Sequence, residues 1–115
     1  MTDRPATGTI VGFDLTVADA PGIRDFYASV IGWRPEPLSM GDYDDFVMQA
    51  TSSDDSVAGV CHARGENANL PPQWIAYIAV DDLDASLERC DAAGGKRLSE
   101  VRGSAESGRY CVIQD

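Results

Sequence analysis

The same punctuation occurs twice in this chain, 63 residues apart. At that shift Leu15, Val17, Asp19 and Gly32 fall on Ile78, Val80, Asp82 and Gly95. These are the end of an apolar strand, a carboxylate able to cap a helix, and a glycine able to stop one. Agreement at all three points predicts a duplicated unit that opens with a strand followed by a helix.

The first copy can be read in full. Thr9 to Val17 alternates, with Val11, Phe13, Leu15 and Val17 on one face and Ile10, Gly12, Asp14 and Thr16 on the other, the pattern of a half-buried strand. Asp19 and Pro21 then start a helix whose apolar positions are Ile23, Phe26, Tyr27, Val30 and Ile31, and Gly32 closes it. Strands are predicted at about Arg34 to Met40, Tyr43 to Gln49 and Ser56 to Ala63, so this half reads βαβββ. A polar, breaker-rich linker covers about residues 64–72. The second half starts with a strand at Trp74 to Val80. Asp82 caps a helix carrying Leu83, Leu87 and Cys90, and strands are predicted at Lys96 to Val101 and Arg109 to Ile113. The expected organisation is one domain over residues 1–115, with modules at about 8–63 and 73–115.

Composition narrows the partners. Nineteen acidic residues against nine basic give a formal charge of −10 in 115 residues, a field that repels nucleic acid and anionic membrane surfaces and favours cationic or neutral ligands. Neither a secretory leader nor an apolar run long enough to span a bilayer is read in the chain, so a cytoplasmic protein is expected. Cys61, Cys90 and Cys111 have no paired spacing and are read as small packing residues. A Cys61 nucleophile helped by His62 is disfavoured, because neighbours on a strand point to opposite faces.

Leu15-Thr16-Val17-Ala18-Asp19, then Phe26-Tyr27 and Ile31-Gly32-Trp33, resembles the opening of a module of the vicinal oxygen chelate superfamily, which holds glyoxalases, bleomycin resistance proteins and extradiol dioxygenases. Tyr77-Ile78-Ala79-Val80-Asp81-Asp82-Leu83 is similar to the start of that superfamily's second module. The resemblance implies an α+β fold of two βαβββ modules whose curved mixed sheets face a cleft. It also implies a further strand after Gly108 to Asp115, so the last strand of the second module is expected to be missing. Gly12, Asp14 and Thr16 would look into the cleft, with Ile75, Tyr77 and Ala79 from the second module.

Metal-dependent members of that superfamily carry a histidine on each module's first strand, and the matching positions here are Gly12 and Ile75. Neither side chain can ligate, so no metal and no cofactor are expected. The expected ligand-binding residues are Asp14, His62, Tyr77, Phe46 and Met48. Asp14 either binds a cation or accepts a proton, or pairs with an arginine or a backbone amide. His62 is either a general base beside Asp14 and Tyr77 or a hydrogen-bonded rim residue. Phe46, Met48 and Tyr77 either line a pocket or pack in the core. Asp42, Asp44 and Asp45 read as a solvated turn, Asp81, Asp82 and Asp84 as a capped helix start, and Trp33 and Trp74 as braces at element ends.

The functional expectation is a small-molecule-binding protein whose ligand is cationic or aromatic, assembled as a homodimer. The alternative is a lyase, isomerase or dioxygenase using a metal or metal-free acid–base chemistry. A non-catalytic interaction subunit is a third possibility, motivated by exposed strand edges. No residue is assigned a catalytic role.

Overall fold

The computed structural model of the chain describes residues 4–115. It has two compact units, Ile10–Ile78 and a second made of Ala79–Asp115 with the described residues before Ile10.

The first unit runs β1 (Ile10–Val17), α1 (Ala20–Val30), β2 (Arg34–Ser39), β3 (Asp44–Gln49), β4 (Ser56–His62) and β5 (Trp74–Ile78). Its sheet has the order β2-β3-β4-β1-β5. β1 runs parallel to β4 and antiparallel to β5, so the sheet is mixed and the class is α+β. α1 starts where the sequence predicts. The Asp19 side chain accepts the Gly22 N–H at 3.0 Å, a proline stands in the first turn, and Gly32 leaves the helix at φ +88°, a conformation that costs glycine little.

Register divides the sheet into two faces. Trp74, Leu15, Val60, Phe46 and Pro37 are paired in one row across the five strands. Ala20, Phe46, Met48 and Val60 form a buried cluster on this side, with Val17, Ile23, Tyr27, Trp33 and Trp74 packed against it. Tyr27 is the hub of the aromatic part. Its ring stacks on Trp33 at 5.3 Å and meets Trp74 edge-on at 5.6 Å, and its hydroxyl accepts the Trp74 indole N–H at 3.2 Å. The two tryptophans therefore brace element ends, as expected. The next row, Ile75, Asp14, Gly59, Val47 and Glu36, belongs to the opposite face.

The β1–β5 pairing carries the mark of the duplication. Gly12 pairs with Tyr77, Phe13 with Ala76 and Asp14 with Ile75. Phe13 and Ala76 are themselves 63 residues apart, and so are the crossed partners Gly12 with Ile75 and Asp14 with Tyr77. Equivalent strands thus meet about a local twofold through the Phe13–Ala76 pair.

The second unit holds α2 (Leu83–Ala92), β6 (Lys96–Arg97), β7 (Arg102–Ser104), β8 (Gly108–Tyr110) and β9 (Ile113–Gln114). The Asp82 side chain accepts the Ala85 N–H at 3.0 Å, and Asp82 and Ala85 are the positions equivalent to Asp19 and Gly22. The helix stop differs from the sequence alignment, because the positive φ lies at Gly94 and not at Gly95, so this helix is one residue shorter.

The two long strands predicted here are instead four short ones, β6 pairing β9 and β7 pairing β8. Two features break them. The Ser99 hydroxyl accepts the Val112 N–H at 2.9 Å and the Cys111 thiol donates to the Ser99 carbonyl at 3.3 Å, replacing ladder hydrogen bonds. Gly103 then takes φ +83° against the Gly108 backbone, which turns β7 into a hairpin with β8. No helix of the described residues is long and apolar enough to cross a membrane.

Candidate functional site

β1 presents Asp14 on the face away from α1. Its partners in the row are Gly59 on β4 and Ile75 on β5, while Tyr77 stands two residues along β5 opposite Gly12. The Tyr77 hydroxyl donates to Asp14 Oδ2 at 2.7 Å, the usual length for a hydrogen bond between oxygens. Glycine makes room for it. The Asp14 carboxylate lies over Gly59, where a Cβ would collide with Oδ1, whereas a Cβ on Gly12 would meet no atom within 4 Å. Asp14 is therefore held against a floor without side chains, with open space on one side.

Along β4 the same face continues through Cys61, which pairs with Thr16. Burial, then the charges of Asp14 and Asp45, then a hydrogen bond with Asp45 push the Cys61 thiol up to about 12. It stays protonated at physiological pH, so the nucleophilic reading of Cys61 has no physical support. Folded protein at about pH 8 is expected to alkylate at Cys61 about a thousand-fold more slowly than an ordinary exposed thiol, and at an ordinary rate once unfolded. Mass mapping after iodoacetamide treatment checks this. The raised value also has a sign for stability. The unfolded thiol ionises first, so this group favours folding below its ordinary value and loses that contribution as pH rises towards 12.

Asp45 corrects the expectation of a solvated acidic turn. Its residue is 3% exposed, and Oδ1 accepts the His62 backbone N–H at 2.9 Å and lies 3.1 Å from His62 Nδ1. Asp44 is exposed and Asp42 approaches Arg64 at 3.5 Å, so those two do behave as solvated residues. A sequence signal for Asp45 existed. With Phe46 and Met48 assigned to the helix side, alternation puts Asp45 and Val47 on the Asp14 face.

The five expected ligand residues are thus distributed. Asp14 and Tyr77 are joined directly. His62 is held by Asp45, beside the Tyr43 and Phe46 rings at 5.3 and 6.2 Å. Phe46 at 7% and Met48 at 0% exposure belong to the cluster beneath α1, since their strand positions face the helix; they pack there and not beside Asp14.

A metal of the kind carried by the resembled family does not fit these residues. Gly12 and Ile75 offer no ligating atom, Asp14 is engaged by Tyr77 and Asp45 by His62. Among the described residues no three His, Cys, Asp or Glu side chains are grouped to hold an ion.

Comparison with known proteins agrees with this architecture. A family model described as the Glyoxalase/Bleomycin resistance protein/Dioxygenase superfamily matches residues 9–115. CFP32 of Mycobacterium tuberculosis, provisionally named a glyoxylase, is 32% identical over 113 residues, covering 94% of this chain and 42% of that protein. The anthracycline biosynthesis protein DnrV of Streptomyces peucetius is 28% identical over 127 residues, covering 97% of this chain and 45% of that protein. A glyoxylase-like domain-containing protein of Didymella fabae is 27% identical over 95 residues, 82% of this chain and 74% of its own. The chain spans less than half the length of the first two.

Proposed function

The chain belongs to the glyoxalase/bleomycin resistance protein/dioxygenase superfamily, and from that premise we propose that it is a small-molecule-binding protein whose ligand lies on the Asp14 face of the first unit's sheet, held by protein groups and not through a metal. The observation that carries this reading is the Tyr77–Asp14 hydrogen bond of 2.7 Å above the Gly12 and Gly59 positions. A carboxylate fixed by one strong donor keeps acceptor capacity for a second, and the open space over Gly12 admits it. The formal charge of −10 favours a cationic partner. One relative is named for anthracycline biosynthesis, so flat polycyclic aromatics with a basic substituent are the first class to test.

A thermal-shift screen is the test, run beside elemental analysis of protein never exposed to chelator. A ligand present at about a hundred times its Kd stabilises by about 2.7 kcal/mol. For a chain of 115 residues that stabilisation corresponds to a rise of about 10 °C, and the expected result is a rise of this size for cationic aromatics, lost in Asp14→Asn. No response to any class, together with stoichiometric Fe, Ni, Zn or Mn, would overturn the reading.

A homodimer belongs to the same proposal. Its support is the set of exposed apolar side chains on the first unit, Phe13, Phe26, Val30 and Ile78 at 43%, 53%, 63% and 58%, which a second copy would cover. Light scattering at micromolar concentration should return twice the chain mass.

A further inference from the structure

His62 is the only histidine in the chain, and the structure holds its ring by one nitrogen. Asp45 Oδ1 lies 3.1 Å from the ring Nδ1 and accepts the residue's own backbone N–H at 2.9 Å. Asp45 is 3% exposed, so its carboxylate is removed from water and matched by these donors and by the Cys61 thiol. An ionised carboxylate only accepts, so the hydrogen between the two side chains belongs to Nδ1. The neutral ring then keeps its lone pair on Nε2.

That second nitrogen is available. Among the described residues Nε2 makes no hydrogen bond, and no buried side-chain nitrogen or oxygen lacks a partner. Nε2 therefore reaches solvent, although the side chain as a whole is only 17% exposed. The surroundings are aromatic and carry a cation. The Tyr43 ring meets the imidazole at 75° with centroids 5.3 Å apart, and Phe46 lies at 6.2 Å. The Arg64 guanidinium stands 4.0 Å over the Tyr43 ring and reaches Asp42 at 3.5 Å. The corner where β3 begins and β4 ends thus combines a base in a fixed tautomer, a flat apolar wall and a positive charge.

We propose that Asp45 and His62 form an acid–base couple that removes a proton from a small, flat carbon acid, with His62 Nε2 as the accepting atom and Asp45 as the positioning residue. In the step a C–H bond breaks and an N–H bond forms at Nε2. The electron pair released stays on the substrate, where a neighbouring unsaturated group delocalises it or a leaving group departs with it. Asp45 faces the imidazolium so produced, and the Arg64 guanidinium over the Tyr43 ring and that of Arg24 over the Phe46 ring are the cations of this corner. No oxidant, reductant or metal enters the balance. The inference uses the β3–β4 corner alone, so it stands or falls separately from ligand binding at Asp14 and Tyr77.

The test uses the full chain and a nitrobenzisoxazole, which reports proton removal directly. Loss of its ring C–H proton forms a nitrile, breaks the N–O bond and releases a coloured phenolate. The wild type is expected to exceed the rate with free imidazole at equal concentration by about a hundredfold. His62→Gln should return to background. Asp45→Asn should lower kcat about tenfold or more with little change in KM. Because Asp45→Asn can disturb folding, nitrogen-15 NMR of the single imidazole in the wild type provides a measurement free of substitution: the neutral ring should carry its hydrogen on Nδ1. A wild-type rate equal to that of free imidazole, activity retained in His62→Gln, or a ring protonated on Nε2 would each overturn the proposal.

Discussion

Truncating Met48 to alanine is expected to destabilise the protein by about 2–5 kcal/mol, the usual effect of removing a fully buried large side chain. Met48 is 0% exposed and packs with Ala20, Phe46 and Val60 between the sheet and α1. The loss has two parts. The side chain gives up its transfer from water, and its neighbours are tied to two strands and a helix that cannot all close over the space it leaves. Folded domains are stable by only about 5–15 kcal/mol, so the variant should lose a large part of its margin. Met48→Leu keeps the volume and should cost less than about 1.5 kcal/mol. Urea denaturation separates the outcomes: the midpoint should fall steeply for alanine and little for leucine, with an unchanged slope. A neutral alanine variant would mean that Met48 borders free space, as a pocket residue would.

Gly59→Ala is the corresponding substitution for the site. The added methyl would collide with Asp14 Oδ1, so either the carboxylate rotates away from Tyr77 or β4 moves from β1. Crowding of this kind costs about 1–3 kcal/mol, and loss of the Tyr77 hydrogen bond to a charged group adds roughly 1.5–3 kcal/mol if that bond breaks. Affinity for an Asp14-bound ligand should drop by about tenfold or more, each factor of ten being about 1.4 kcal/mol. Gly12→Ala is the matched comparison on the same face. Its methyl would meet nothing within 4 Å, so stability should change by less than about 1 kcal/mol. Equal stability losses at the two glycines, measured by urea denaturation, would contradict this account of the floor.

Much of the first unit could be read before its structure. Alternation put Val11, Phe13, Leu15 and Val17 on one face of the first strand, of which Leu15 is buried while Val11 and Phe13 stay exposed, and the carboxylates at Asp19 and Asp82 do cap their helices at equivalent backbone positions. These features are local, and local chemistry determines them. The pairing of β1 with β5 is not local: nothing within either strand specifies its neighbour, although the 63-residue repeat is respected by the register once the strands meet. The second unit was less legible. Lys96 to Val101 reads as one strand, but the Ser99 hydroxyl and the Cys111 thiol compete with the ladder, a choice made by side chains that the apolar pattern does not register. Asp45 was misread for a related reason. Its neighbours Asp42 and Asp44 suggested a polar turn, while the strand carrying Phe46 and Met48 decided which way it faces. For the site, Asp14 and Tyr77 were expected on a common face and are hydrogen-bonded there, whereas the partner of His62 lay outside the residues chosen.

Amide chemical-shift mapping locates a small molecule bound on the Asp14 face residue by residue. Titrating labelled protein with a cationic aromatic that raises its Tm should move the amides of Gly12, Asp14, Gly59 and Tyr77 first and in saturable fashion, with the same titration silent at those positions in Tyr77→Phe at equal ligand concentration. Shifts centred instead on Ser99, Cys111 and their neighbours in the second unit, with the Asp14 row unmoved, would contradict binding on that face.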